Sequence, residues 1–222
     1  MTLTQLIGIL AAVCLFTALC FVFSYAQIEK TMLEVQKIFY FHVASALTVF
    51  LAFGVTCLCS VIYLIKRNDK FDLLAVASAE LGIVFCTVVL TTGPIWAKFA
   101  WNTWWNWEPR LTSTLILWLM YIGYFILRSA LPEEKKRVYS AVLGILAYLN
   151  VPIVYFSVEL WKDKLHPGIE TKMNLPPTMF KTWVIAWLAL TVLYVFLLML
   201  RYQTERLKSR LETIQYRQME GT

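Results

Sequence analysis

Residues 38–65 read "IFYFHVASALTVFLAFGVTCLCSVIYLI", with no Asp, Glu, Lys or Arg anywhere in the run. A helix crosses a hydrocarbon core with about 20 apolar residues at about 1.5 Å rise each, so this stretch is long enough to span a membrane. Its apolar residues are continuous rather than alternating, which excludes a lipid-exposed barrel strand and leaves the helix as the structure that satisfies its own backbone in lipid. Five further stretches read the same way, near residues 3–25, 71–95, 111–127, 138–158 and 180–200. The composition agrees, with 59% hydrophobic and 15% charged residues where soluble domains carry about a quarter charged. The expected fold is therefore all-α, an integral membrane six-helix bundle. The first span lacks a basic n-region and a small-x-small cleavage site, so it is read as a retained helix. With no internal repeat or linker, residues 1–200 form one six-span membrane domain and 201–222 a basic tail.

The formal charge of +6 is informative through its distribution. Lys66, Arg67 and Lys70, then Arg128, Lys135, Lys136 and Arg137, then Arg201, Arg206, Lys208, Arg210 and Arg217 fall on alternate connections and the tail. By the positive-inside rule these segments and the N-terminus are cytoplasmic. The tail then meets membrane lipid rather than nucleic acid. Cys14, Cys20, Cys57, Cys59 and Cys86 all lie within spans, and read as small packing residues rather than reactive thiols.

The first, third and fifth connections then face outward, and unusual residues collect there. The third, about residues 93–112, contains "WNTWWNWEPRLTS" (101–113), in which Trp101, Trp104, Trp105 and Trp107 follow Trp96 closely. If this connection forms a short interfacial helix, Trp101, Trp104, Trp105 and Glu108 share one face. Two readings stay open on the residues alone: an aromatic belt anchoring the bundle at headgroup level, or a rigid apolar platform for a ligand.

The chain's two histidines map to the same side. His42 lies about one turn, roughly 6 Å, inside the second span. It ends a stripe of Ile28, Met32, Val35, Phe39 and His42, which predicts a helix that begins before the membrane. His166 is in the fifth connection, about two turns past span five. Each alone is also consistent with packing or surface duty. As a pair beside an apolar platform they match what haem requires, namely two opposed axial nitrogens, an aromatic floor and basic groups for the propionates. Lys98 and Arg110 bracket the tryptophans and are candidates for that last role, with ordinary interfacial snorkelling as the alternative. A small metal ion would want more donors than this.

"TGPIWAKFAWNTWWNWEPRLTS" (92–113) resembles the tryptophan-rich WWD motif of the haem-handling proteins of cytochrome c maturation, specifically the CcmC (haem exporter protein C) family. "QKIFYFHVASA" and "VYFSVELWKDKLHPG" are similar to the segments bearing that family's axial histidines, at His42 and His166. The resemblance implies a carrier rather than an enzyme. It implies haem b bound at the outer face of the inner membrane, with the WWD loop periplasmic, and delivered to the periplasmic haem chaperone CcmE. It also implies CcmD and the CcmA–CcmB ABC transporter as partners. The chain departs from the family at Asn102 (usually Gly), Glu108 (Asp), Ala44 (Pro) and Leu160 (Trp). Asn102 stands where glycine would adopt positive φ at no cost.

A shallow site with axial ligands set on two outer loops suits ligand exchange with an acceptor. The rivals are a bis-His cytochrome b-type electron-transfer subunit, which would bury both ligands in spans, and a substrate transporter with a Trp-rich gate, which the sparse intramembrane polar residues disfavour. Glu80, roughly 13 Å inside span three by helix rise, is expected to be a neutral packing residue or a partner of Ser78, because no second ionisable residue is read within the spans. Asn150 and Pro152 are expected to interrupt span five.

Overall fold

The computed structural model describes residues 1–162, 166 and 175–220. Its helices are α1 (Leu3–Cys20), which continues through a five-residue π-helical stretch Phe21–Tyr25, then α2 (Gln36–Lys66), α3 (Asp69–Trp101), α4 (Pro109–Ala130), α5 (Glu133–Tyr148), α6 (Asn150–Trp161) and α7 (Pro177–Glu220). With α5 and α6 forming one span, six segments are long and apolar enough to cross a membrane, and no strand occurs among the described residues. The six expected spans are therefore present.

Local chemistry sets the ends. Thr2 and Gln5 form a capping box at the start of α1, satisfying amides that the first helical turn leaves orphaned. Arg67 in the left-handed region closes α2, and Asn68 caps α3 by accepting from Lys70 N, so two residues suffice for the hairpin that makes α2 and α3 the most extensively packed pair. At the other end α3 runs on to Trp101, so only residues 102–108 of the connection are non-helical. The sixth-span helix likewise passes without a break through residue 200 into the basic tail.

Two expectations are corrected. First, α2 does not begin ahead of the stripe: residues 26–35 form turns, with Leu33 at φ 49° and the Glu29 carboxylate accepting from Thr31 N and Met32 N at 2.8 and 2.6 Å. A carboxylate that satisfies local amides competes with helix formation, so Ile28, Met32 and Val35 lie outside α2. Second, Glu80 does have an ionisable partner. Arg201 donates to it from Nε and Nη2 at 2.9 and 2.5 Å and also to Glu205 at 2.9 Å. Ser78 instead donates to Ala52 O at 2.6 Å, so the Tyr194 hydroxyl at 2.7 Å is left to donate to Ser78. That pair joins α2, α3 and α7.

The core is centred on α2 and α3 and is closed by α4, the α5–α6 span and α7. Phe53 stacks on Tyr121 with ring centroids 3.6 Å apart and 4° between planes, and Gly82 of α3 lets Phe53 approach where any Cβ would sit 2.3 Å from its ring. At the end of the bundle opposite the histidines, Arg128 grips Asp72 with two bonds of 2.8 and 2.6 Å, and Arg137 pairs with Asp69. Asp72 is only 3% exposed, and a bidentate guanidinium is the donor geometry that a buried carboxylate needs. This ties α3, α4 and α5 together. As expected, span five is interrupted: α5 ends at Tyr148 and α6 begins at Asn150. Pro152 has no amide to offer the Tyr148 carbonyl, and Asn150 Nδ2 donates across to Ser113 O at 3.0 Å.

Candidate functional site

A cavity of about 300 Å³ opens at one end of the bundle among α2, α3, α4 and α6. Its walls are mostly hydrocarbon, including Phe39, Phe50, Val89, Leu117 and Val154, and Cys86 is among them. Both histidines line it, together with Trp96, Trp101 and Arg110. Residues far apart in the sequence thus meet because the first turns of α2, the end of α3 and His166 lie on the same side.

His42 sits on α2 rather than on a loop. Its Nδ1 is 2.9 Å from Thr92 Oγ1 on α3. The Thr92 hydroxyl spends its proton on Val88 O, 2.7 Å away, so toward His42 it acts as acceptor and the neutral imidazole carries its proton on Nδ1. Nε2 then bears the lone pair, the form in which histidine binds a metal. Next to Thr92, Gly93 makes room for the ring, since a Cβ there would lie 3.3 Å from His42 Cε1. Neither Thr92 nor Gly93 was singled out by the sequence, although "TTGP" opens the tryptophan motif; a glycine before an intrahelical proline was the available signal.

His166 lies beyond α6 with its ring edge-on to Trp101, centroids 5.8 Å apart at 62°, and its Nδ1 3.5 Å from Glu108 Oε1. Trp101 in turn meets Trp96 at 5.4 Å and 88°, the edge-to-face arrangement that the ring quadrupoles favour. Glu108 is the N-cap of α4, accepting from Leu111 N at 2.5 Å and Arg110 N at 2.9 Å, and Pro109 follows at the first helical position, where its missing amide costs nothing. Burial pushes the Glu108 carboxyl up, but the neighbouring His166 imidazole and the two backbone amides outweigh it and hold it below its ordinary value.

The tryptophan connection is not an interfacial helix. Asn102 ends α3 at φ 58°, ψ 22°, the left-handed conformation that asparagine tolerates best after glycine, so the departure from glycine keeps the turn. As a result Trp101, Trp104, Trp105 and Glu108 share no helical face. Trp104 and Trp107 are 59% and 72% exposed, and Trp105 packs edge-on to Trp107 at 5.6 Å; none of these three lines the cavity. Lys98 Nζ donates to Asn102 Oδ1 at 3.0 Å and so supports the C-terminus of α3. Arg110 does reach the cavity, where Nη2 donates to Tyr155 O at 3.0 Å.

Fold and site together define a class: a six-span helical membrane protein whose only two histidines face one apolar cavity edged by tryptophan. Comparison with known proteins resolves it further. The model of the family described as CcmC, Heme exporter protein C, matches residues 1–217. Curated relatives named "Heme exporter protein C" include those of Bradyrhizobium diazoefficiens, 32% identical over 82% of this chain and 71% of that protein, and Haemophilus influenzae, 31% over 93% and 85%. That of Paracoccus denitrificans is 32% identical over 92% of this chain and 86% of that protein. The chain belongs to the CcmC family.

Proposed function

We propose that this chain carries haem for cytochrome c maturation, taking it as cargo at the outer face of the inner membrane and passing it to the periplasmic chaperone CcmE. The observation that carries this reading is that the chain's two histidines, one on α2 and one beyond α6, line the same apolar cavity. His42 and His166 are the axial ligands, each with its Nδ1 turned to an oxygen. Trp96 and Trp101 flank the porphyrin, and Arg110 is better placed than Lys98 for a propionate because it lines the cavity while Lys98 caps α3. Trp104, Trp105 and Trp107, outside the cavity, are left to meet the membrane surface or the incoming acceptor.

The cargo is haem b, whose iron supplies the two axial positions that the histidines occupy. The protein's own part is to bind, orient and release it, with His42 fixed on a helix and His166 on the segment from which a ligand is exchanged. The N- and C-termini are cytoplasmic, and CcmD and the CcmA–CcmB transporter complete the assembly. The test is transfer: haem-loaded protein in mild detergent is mixed with haem-free CcmE. Haem should move to the chaperone, and faster from His166→Ala than from wild type. Haem that stays bound through repeated reduction by quinol and never moves would instead mark an electron-transfer subunit.

A further inference from the structure

Glu108 belongs to the tryptophan motif, yet it does not line the cavity. It is 5% exposed and lies behind His166, with its carboxylate fixed by the first amides of α4. Such a carboxylate cannot touch a ligand in the cavity without leaving the helix start. The ring nitrogen nearest its carboxylate is His166 Nδ1, 3.5 Å away, within ion-pair reach but beyond a formed hydrogen bond, so the two must close by a few tenths of an ångström for the proton to be shared. The arrangement at His42 is different in kind, since there the Nδ1 partner is a neutral hydroxyl, Thr92.

We infer that Glu108 is a positioning residue that acts on haem only through His166, and that the two axial imidazoles are electronically unequal. This rests on the axial assignment above. A carboxylate that accepts the Nδ1 proton fixes the tautomer, aims Nε2 at the iron and makes the imidazole a more basic ligand. A threonine hydroxyl fixes the tautomer of His42 but adds no charge. The helix start therefore transmits its rigidity to a ligand that no helix carries, and the second histidine becomes the stronger electron donor of the pair.

The experiment measures the haem midpoint potential by spectroelectrochemistry on the full chain at saturating haem, in wild type, Glu108→Gln, His166→Ala and the double variant. Glutamine keeps one acceptor oxygen, for Leu111 N and Nδ1, and removes the charge, while its amide nitrogen gives up the bond from Arg110 N. The potential should move positive in Glu108→Gln, and the same substitution should cause no further shift once His166 is gone. An equal shift in both backgrounds would show that Glu108 acts through space on the haem, and no shift in either would show that it serves only the helix cap; either result overturns the inference. If His166→Ala alone leaves the low-spin spectrum and the potential unchanged, the axial assignment itself falls, which is distinguishable from the other two results. Should Glu108→Gln fold poorly, Glu108→Asp retains the charge and is expected to hold the potential closer to wild type.

Discussion

Gly93→Ala perturbs the axial site by one methyl group. The new Cβ would stand 3.3 Å from His42 Cε1 and 3.8 Å from Leu111 Cδ2, so the imidazole must give by a few tenths of an ångström. Its other edge is tied to Thr92 at 2.9 Å, and the shift therefore stretches that bond or swings Nε2 off line. Overpacking of this kind costs about 1 kcal/mol at its lower end, which corresponds to about a fivefold weaker haem affinity. The fold is affected differently. Alanine gains up to about 1 kcal/mol of helix propensity over glycine, but its Cβ opposes the ring of Pro94, which restricts the residue before it. Haem titration in detergent should thus show about a fivefold rise in Kd, while the haem-free melting temperature moves by no more than a few degrees. An unchanged Kd would refute the contact between Gly93 and a ligand-bearing ring.

Three further outcomes follow from the fold. Gly82→Ala places a Cβ 2.3 Å from Phe53, itself stacked on Tyr121, and should lower stability by about 2 kcal/mol in thermal melts. Asp72→Asn leaves Arg128 with a neutral partner at a 3%-exposed position; breaking a buried pair in this way should cost about 3 kcal/mol, read as the loss of Tm, whereas haem affinity in the surviving folded fraction should not change. Glu108 has its carboxyl held below the ordinary value, so its stabilisation is complete above that value and is lost as pH falls through the lower, folded one. The stability difference between wild type and Glu108→Gln, followed by melts at decreasing pH, should be flat near neutrality and shrink only on the acid side.

The spans were legible because membrane helices announce themselves by length and apolarity, with errors only at the ends. Helix α3 overran its apolar stretch to Trp101 because a helix can continue past the hydrocarbon until a residue such as Asn102 turns it. The stripe before His42 had helical spacing, but Glu29 spent its carboxylate on nearby amides and folded that segment into turns. Glu80 seemed partnerless because its guanidinium comes from a residue beyond the sixth apolar run, and only the antiparallel packing of α3 and α7 brings Arg201 alongside. Residue type and side of the membrane pointed to the histidines and Trp101, and the structure brings all three to one cavity. Thr92 and Gly93 were missed because their importance lies in contact with His42 across a helix pair, which spacing along one chain does not encode. The shared tryptophan face is split for a local reason: one left-handed residue, Asn102, separates Trp101 from the three that follow.

The central claim, that His42 and His166 together hold the iron, is tested most directly by ligand replacement. His42→Gly and His166→Gly are loaded with haem and their low-spin signatures compared with wild type by optical and paramagnetic resonance spectroscopy, without and with free imidazole. Each variant should lose the six-coordinate low-spin signature and regain it when imidazole fills the vacated position. A glycine variant that keeps the wild-type signature with no imidazole present would contradict the assignment of that histidine.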